Sequence, residues 1–401
     1  MLWTVIHLLD ILLWLLLAAS TLYILFFALV SVLWEKRVND ITQFLTGQKL
    51  AMREKEYFRY LVLYPAYNED RVIVPAVRTF LGQYYPYEAF HVAVISDHMQ
   101  PETNQTLAAL PITLLQPVFE KSSKAKAMQY TMEHIKEDYD YVVIMDADNV
   151  VNSDFLAQLN DSCAHGYHAI QCHRCAKNKN NDIAVLDGVS EEINNTIFRK
   201  AHNRVGLSSA LIGSGMCIDF KWFRENVFKL STAGEDRELE ALLLKDRVFI
   251  KYETDIHVFD EKVSNKDNFQ KQRLRWMTAQ IQSLFSLLPY IPKAIVTLNL
   301  DFIDKTIQQA LIPRSMLVVA AFGMAIVMTV FSLIFSLTWY VKWWCLFLAI
   351  CIALYIATPR QLRSHSVFGK LLSLPKLVWK MVMNLLKIDR KNTDFIHTQH
   401  G

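Results

Sequence analysis

The sequence lacks a disulfide framework, a strong charge of either sign, and any internal repeat or low-complexity tract. Its six cysteines are scattered: Cys345 and Cys351 sit inside an apolar run, and the others fall in a region read below as cytosolic, where thiols stay reduced. Cys172-His173-Arg174-Cys175 has the spacing of half a zinc site but no second half follows, so a strand with buried thiols is expected there. A formal net charge of +3 over 401 residues excludes nucleic-acid binding as the main business and leaves the basic residues to anionic lipid headgroups. No Lys or Arg precedes Lys36, so the first apolar run lacks the basic leader of a secretory signal peptide.

What is present is apolar. With 52% hydrophobic residues, part of the chain is expected to face lipid. Ile11 to Trp34 is long enough to cross a hydrocarbon core of about 30 Å. Met316 to Leu337 is a second such run, and Trp343 to Ala357 a shorter third, extended by Trp339, Tyr340, Trp343 and Trp344 as a headgroup-level aromatic belt. The first run is expected to be an uncleaved anchor. Lys36, Arg37, Lys49 and Arg53 follow it at once, and Arg360, Arg363, Lys370, Lys376 and Lys380 follow the third. The positive-inside rule then puts the middle of the chain in the cytoplasm of a multi-pass protein of the inner (plasma) membrane. The sequons at Asn104 and Asn194 would be idle on that side.

From Arg59 to Asp148 short apolar runs alternate with helical patterns. Strands are expected at Tyr60–Tyr64, His91–Ser96 and Tyr141–Met145, and helices at Arg71–Gln83 and Lys124–Lys136. That alternation implies an α/β unit with a parallel sheet, whose ligands gather at the carboxyl ends of its strands. Pro65 to Asp70, Asp97, and Asp146 to Asp148 each follow a strand and should therefore converge on one crevice. Further on, a strand is expected at Ala169–His173, a polar-faced helix at Asp187–His202, and a glycine-broken loop and strand at Ser208–Phe220. Helices are expected at Glu235–Lys245 and Phe269–Leu288, the latter ended by Pro289 and Pro292; this helix and Phe368–Ile388 read as amphipathic segments along the membrane interface.

Several of these positions suit chemistry. Asp146 and Asp148, spaced i, i+2 at a strand end, can share a hard divalent cation, Mg²⁺ or Mn²⁺, which would hold a diphosphate; taken alone, an Asp-x-Asp is more often a solvated turn. Tyr67 can stack on a base and Glu69 can accept from a uracil or ribose, or Pro65 and Asn68 simply make a tight turn. Lys124 and Lys126 open a helix against its dipole, a cost that makes sense beside a bound anion. Gln272, Arg275 and Trp276 offer a clamp for phosphate and a platform for a sugar ring.

The ordered set Pro65-Ala66-Tyr67-Asn68-Glu69, Asp97, Lys124-Ala125, Asp146-x-Asp148, Gly213-Ser214-Gly215, Glu235-Asp236 and Gln272-x-x-Arg275-Trp276 resembles the inverting glycosyltransferases of family 2 with the GT-A fold. More narrowly, it resembles the membrane-integrated synthases of hyaluronan, chitin, cellulose and poly-N-acetylglucosamine, with a one-plus-two span arrangement most similar to chitooligosaccharide synthase. The resemblance implies a Rossmann-like α/β domain with a mixed, mainly parallel sheet. It implies that Pro65, Tyr67, Glu69, Asp97, Lys124 and Asp146 hold the nucleotide sugar, and that Asp148 binds the metal. Gly213, Ser214, Gly215 and Glu235 would line the acceptor, Asp236 would be the general base, and Gln272, Arg275 and Trp276 would close over the diphosphate and support the acceptor. Ser96-Asp97-His98-Met99-Gln100 departs from the family's usual nucleotide motif, leaving cytidine and guanosine donors open beside uridine.

The expected organisation is an anchor at 1–36, a GT-A domain at 37–268, interface helices with the Gln-x-x-Arg-Trp motif at 269–312, two spans at 313–358, and a basic amphipathic segment at 359–401. The expected activity moves a hexose or N-acetylhexosamine from a nucleotide-diphosphate donor, UDP first among them, to a growing glycan. The alternative acceptor is a membrane lipid, a polyprenyl phosphate or a diacylglycerol, glycosylated once. An export partner is left open, and a non-enzymatic nucleotide sensor is disfavoured by the full set of acids.

Overall fold

The computed structural model describes residues 2–33, 52–178, 181–232, 234–262, 266–335 and 337–363. Helix α1 (Leu2–Leu33) is followed by β1 (Tyr60–Tyr67), α2 (Ile73–Leu81), β2 (Phe90–Asp97), α3 (Pro101–Ala108), β3 (Thr113–Leu115), α4 (Lys124–His134) and β4 (Tyr141–Ile144). Then come β5 (Val150–Val151), α5 (Phe155–Ala164), β6 (Ala169–Ala176) and α6 (Asp182–Asn194), which continues as a π-helical stretch Asn195–Ala201. The chain goes on through β7 (Met216–Asp219), α7 (Phe220–Asn226), α8 (Glu235–Lys245), β8 (Ile250–Asp260) and α9 (Lys266–Leu287). It ends in α10 (Ile291–Val296), α11 (Leu300–Ala310), α12 (Arg314–Phe335) and α13 (Tyr340–Ala357).

The strands form an eight-stranded sheet in the order β3-β2-β1-β4-β7-β6-β8-β5. It is mixed and mainly parallel: β3, β2, β1 and β4 run one way, β7 is reversed, and β6 and β8 return to the first direction. The side-chain period of two sends alternate residues of the central strands into different layers. Tyr60, Val62 and Tyr64 of β1, with Val92 and Val94 of β2, join one core. Leu61 and Leu63, with Ala93, Ile95, Val142 and Ile144, join the other. Burial on both faces explains why these strands read as continuous apolar runs.

Strand β1 runs past its expected end at Tyr64 through Pro65 to Tyr67. Its pairing with β4 stops at Leu63 while pairing with β2 continues to Tyr67, so Pro65 needs no ladder bond on its β4 side. Pro289 ends α9 as expected, but Pro292 does not: it opens α10, where its missing N–H is no loss. The polar-faced helix begins at Asp182 rather than Asp187, and the helix expected from Phe269 begins at Lys266.

Among the described residues, three helices are long and apolar enough to cross a membrane: Trp3–Leu33, Arg314–Phe335 and Tyr340–Ala357. They pack together and against α6 through Ile24, Ala28, Val189, Ile193, Ala321 and Ala353. Asp10 lies inside the first of them, where it pairs with Lys342 and accepts from Trp343 Nε1 at 2.8 Å. A paired acid at such a place satisfies what an apolar bundle otherwise forbids. Lys36, Arg37 and Lys49 and the segment Phe368–Ile388 lie outside the described residues.

The turn before β7 sets how tightly the sheet packs. Gly215 has φ +61° and a Cβ there would meet Val258 Cγ2 at 2.8 Å, whereas Gly213, at φ +86°, has no atom nearer than 3.9 Å. Gly215→Ala should therefore destabilise the protein by about 2–4 kcal/mol, adding overpacking to left-handed strain, and Gly213→Ala by about 1–2 kcal/mol. Thermal unfolding of the two variants side by side checks this; equal losses would remove the packing argument.

Candidate active site

At the carboxyl edge of the sheet the strand ends open into a cavity of about 580 Å³. The expected convergence is observed. Pro65, Tyr67 and Glu69 after β1, Asp97 ending β2, Lys124 opening α4, and Asp146 and Asp148 after β4 all line it. Gly213, Glu235 and Asp236 form the facing wall, and Gln272, Arg275 and Trp276 reach it from α9. Two expected positions do not line the cavity. Ser214 is fully buried, its carbonyl accepting from Gln171 Nε2 at 2.9 Å, and Gly215 is closed off by Val258 and Cys172.

Sharp turns at the strand ends bring these groups together. Asn68 and His98 take left-handed conformations, φ 53° and 57°, just beyond β1 and β2, and Asn68 N donates to the Asp97 carbonyl at 3.2 Å. The side chain of Asp97 is buried and holds His98 Nδ1 at 2.5 Å, while the His98 ring meets Tyr67 edge-on at 5.3 Å. Ser123 caps α4, its side chain accepting from Lys126 N at 3.2 Å. Lys124 thereby points inward, bonding Asp146 and the Gly213 carbonyl, the latter at 2.5 Å. At the start of α8, Glu235, Asp236 and Glu238 sit where the helix dipole favours negative charge.

The electrostatics of the two walls differ. On the β1–β4 side carboxylates crowd one another. Burial, then Asp148 and Asp146, push the Glu69 carboxyl up to about 8. Burial and the nearby Asp260 raise that of Asp148 well above the usual range. Asn149 Nδ2 bridges Asp148 and Asp260 at 3.2 and 3.3 Å, and Glu261 N donates to Asp148 Oδ2 at 2.8 Å. Asp146 and Asp148, with Glu69 nearby on the same wall, offer oxygen ligands alone, the donor type a hard divalent cation takes. On the facing wall burial pushes Glu235 up to about 7, against the pull of Lys124. Burial favours the neutral form of Lys124, yet Asp146, Glu235 and Asp236 outweigh it and keep the ammonium charged.

A second set of charges was not expected from the sequence. Arg174 and Arg199 converge on Glu191 at 3.1 and 3.2 Å, and Lys262 holds Asp260 at 2.8 Å. All five are buried and all line the cavity. Beside them Arg273 binds Asp187 at 2.6 Å and lies 4.7 Å over the Trp276 ring, and Arg314 donates to Asn194 at 2.8 Å. The same cavity is also lined by the apolar side chains of Ile24, Val189, Ile193, Val318, Val319 and Leu354. Arg174 and Asp260 were findable by the rule that found Asp97, since both lie near the carboxyl ends of strands parallel to β4. Gln272 lines the same space, its Oε1 buried and without a hydrogen-bond partner among the described residues.

The sequence matches Glycosyl transferase family group 2 over residues 141–358, more than half of the chain. No curated protein matches it. Among solved structures it is similar to the mannosyltransferase PcManGT from Pyrobaculum calidifontis in complex with GDP-Man and Mn²⁺, at 15% identity and a TM-score of 0.47, covering 85% of this chain and 98% of that one. It is also similar to TarS 1–349 of S. aureus in complex with UDP-GlcNAc, at 14% identity and a TM-score of 0.38, covering 57% and 66%. With its mixed, mainly parallel sheet of the GT-A type, the chain belongs to glycosyl transferase family group 2 and is a glycosyltransferase that uses nucleotide-sugar donors.

Proposed function

We propose that this chain is a membrane-anchored, metal-assisted, inverting transferase that moves a hexose or N-acetylhexosamine from a nucleoside-diphosphate sugar to an acceptor carried by a membrane lipid. The observation that carries the reading is the shape of the cavity. Carboxylates at the strand ends, the Glu235–Asp236 wall and an apolar end built from the candidate membrane helices share one continuous space. In this reading α1, α12 and α13 are membrane spans, the sheet domain faces the cytoplasm of a cell's inner membrane, and α9 lies along the interface. An anionic lipid headgroup would meet Arg273 and Arg314, with its apolar chain beyond them.

Tyr67, Glu69 and Asp97 would hold the base and ribose, uridine fitting first, and Lys124 and Asp146 the diphosphate side. Asp148, with Asp146 beside it, would hold Mg²⁺ or Mn²⁺, which when bound neutralises the leaving diphosphate. The acceptor hydroxyl attacks the anomeric carbon opposite the diphosphate as Asp236 takes its proton. The bond to the diphosphate breaks, and Arg275 receives its negative charge. Gln272 and Trp276 would seat the acceptor. A second reading, a growing glycan as acceptor, is favoured by the Gln272-x-x-Arg275-Trp276 motif.

Asp236→Asn should lower kcat by about 10²–10⁴-fold with donor binding near that of the parent, measured by calorimetry with UDP. A larger fall for Glu235→Gln than for Asp236→Asn would move the base to Glu235. Mass spectrometry of products from a labelled donor and membrane lipids should give single lipid adducts; a ladder of sugars would establish the glycan reading instead.

Metal binding is checked by stability. Glu69 titrates near 8 in the folded chain against an ordinary 4.5, so the folded state binds the extra proton between those values. Stability in EDTA should therefore fall as pH rises through that window. Mn²⁺ or Mg²⁺, bound to the ionised carboxylates, should flatten the slope. Thermal midpoints with and without metal at pH 6 and pH 8 test this; parallel slopes would remove the cation from these residues.

A further inference from the structure

We propose that His173, Cys175, His257 and Glu192 form a structural zinc site, separate from the nucleotide-sugar cavity. Three of these side chains share one face of the sheet because of a local irregularity. The β6–β8 ladder is in register up to Cys172 opposite Glu253, then shifts, so that His173 lies opposite His257 rather than Thr254. Cys175, two residues on from His173, points the same way by the strand period. Donor atoms of His173, Cys175 and His257 all lie within 4.8 Å of one another, and all three residues are partly buried. Cys172 points to the opposite face, into the core beside Val258 and Cys217, so the Cys-x-x-Cys spacing is not what builds the site.

A carboxylate that can turn in as a fourth ligand and an orienting contact stand beside these three donors. Glu192 on α6 places both carboxylate oxygens 3.1 Å from His173 Nε2. His173 Nδ1 lies 2.9 Å from the Thr254 carbonyl within the bulge, the contact by which a metal-binding histidine fixes its ring and presents Nε2. One thiolate and two imidazoles, with the Glu192 carboxylate turning in from His173 to complete the fourth position, make a donor set of mixed softness. It suits Zn²⁺ and poorly suits the Mg²⁺ or Mn²⁺ proposed for the carboxylate cluster. The thiol proton of Cys175 leaves on binding.

The site would tie α6 to the sheet. On the other face of β6, Arg174 meets Glu191, the neighbour of Glu192, at the cavity wall. Gly188 of α6 packs so close to β6 that a Cβ would lie 3.0 Å from that of Ala176. A metal at His173 would therefore hold the helix that carries Glu191.

The test uses the full chain in detergent with Zn²⁺ or Co²⁺ alone. Co²⁺ should bind stoichiometrically with a thiolate charge-transfer band and the strong visible bands of a tetrahedral centre, and Zn²⁺ should displace it and raise the thermal midpoint. The bands should be lost in Cys175→Ser and in His257→Ala, and kept in Asp148→Asn, which alters the carboxylate cluster, and in Cys172→Ala. Glu192→Gln should weaken Zn²⁺ binding by about 10–100-fold. Absence of the thiolate band from the parent protein, or its persistence in Cys175→Ser, would overturn the proposal.

Discussion

The cavity depends on one buried cation. The Lys124 ammonium bonds Asp146 and the Gly213 carbonyl and is faced by Glu235 and Asp236. A lysine at the first position of a helix works against the helix dipole, and burying it costs desolvation as well. What offsets both is the company it keeps: without its charge, the carboxylates of Asp146, Glu235 and Asp236 would repel one another across the cavity. Lys124 also joins parts of the chain remote in sequence, the end of β4, the loop before β7 and the start of α8. That juxtaposition is possible only because β7 lies beside β4, antiparallel to it, so the loop entering β7 meets the carboxyl end of β4.

A second charge cluster performs the matching task beside α6. Burial favours the neutral form of Glu191, but Arg174, Lys262 and Arg199 outweigh it and hold the carboxyl well below its usual range. These residues come from β6, α6, its π-helical extension and the segment after β8, so their pairing fixes the helix that packs on the candidate membrane spans. The cavity is thus polarised. Its strand-end wall carries an excess of carboxylates, while the rest of its lining brings guanidinium groups and apolar side chains.

Much of this was legible in the sequence, for a physical reason. Central parallel strands are buried on both faces and write themselves as apolar runs, and the residue after such a run lies at the ligand edge; Glu69, Asp97, Asp146 and Asp148 were found that way. Strand β8 was missed because Glu253 and Asp255 interrupt its alternation, and the ladder is irregular there. Arg174 was obscured by the cysteines that flank it, which drew attention to their spacing rather than to its position at a strand end. Glu191 and Arg199, on a helix that turns π-helical at Asn195, share a stripe at i and i+8, but nothing in the sequence marks that stripe as the one turned to the cavity. Ser214 and Gly215 were expected beside Gly213 from the motif alone, but the sharp turn at Gly215 sends the chain directly into the buried strand.

The identity of the acceptor turns on the apolar end of the cavity. A sugar chain passing Ile24, Val318, Val319 and Leu354 would leave hydroxyls beside groups that accept no hydrogen bond, at a cost of about 1–3 kcal/mol for each one left unpaired. A hydrocarbon chain in the same place gains about 0.8 kcal/mol for each methylene removed from water, and helices able to cross a membrane give it a route from the bilayer. The guanidinium groups of Arg273 and Arg314 line the same cavity, where the headgroup of the proposed lipid acceptor would carry its charge. In the proposed reading Trp276, beneath Arg273, would support the first sugar of a lipid-borne acceptor.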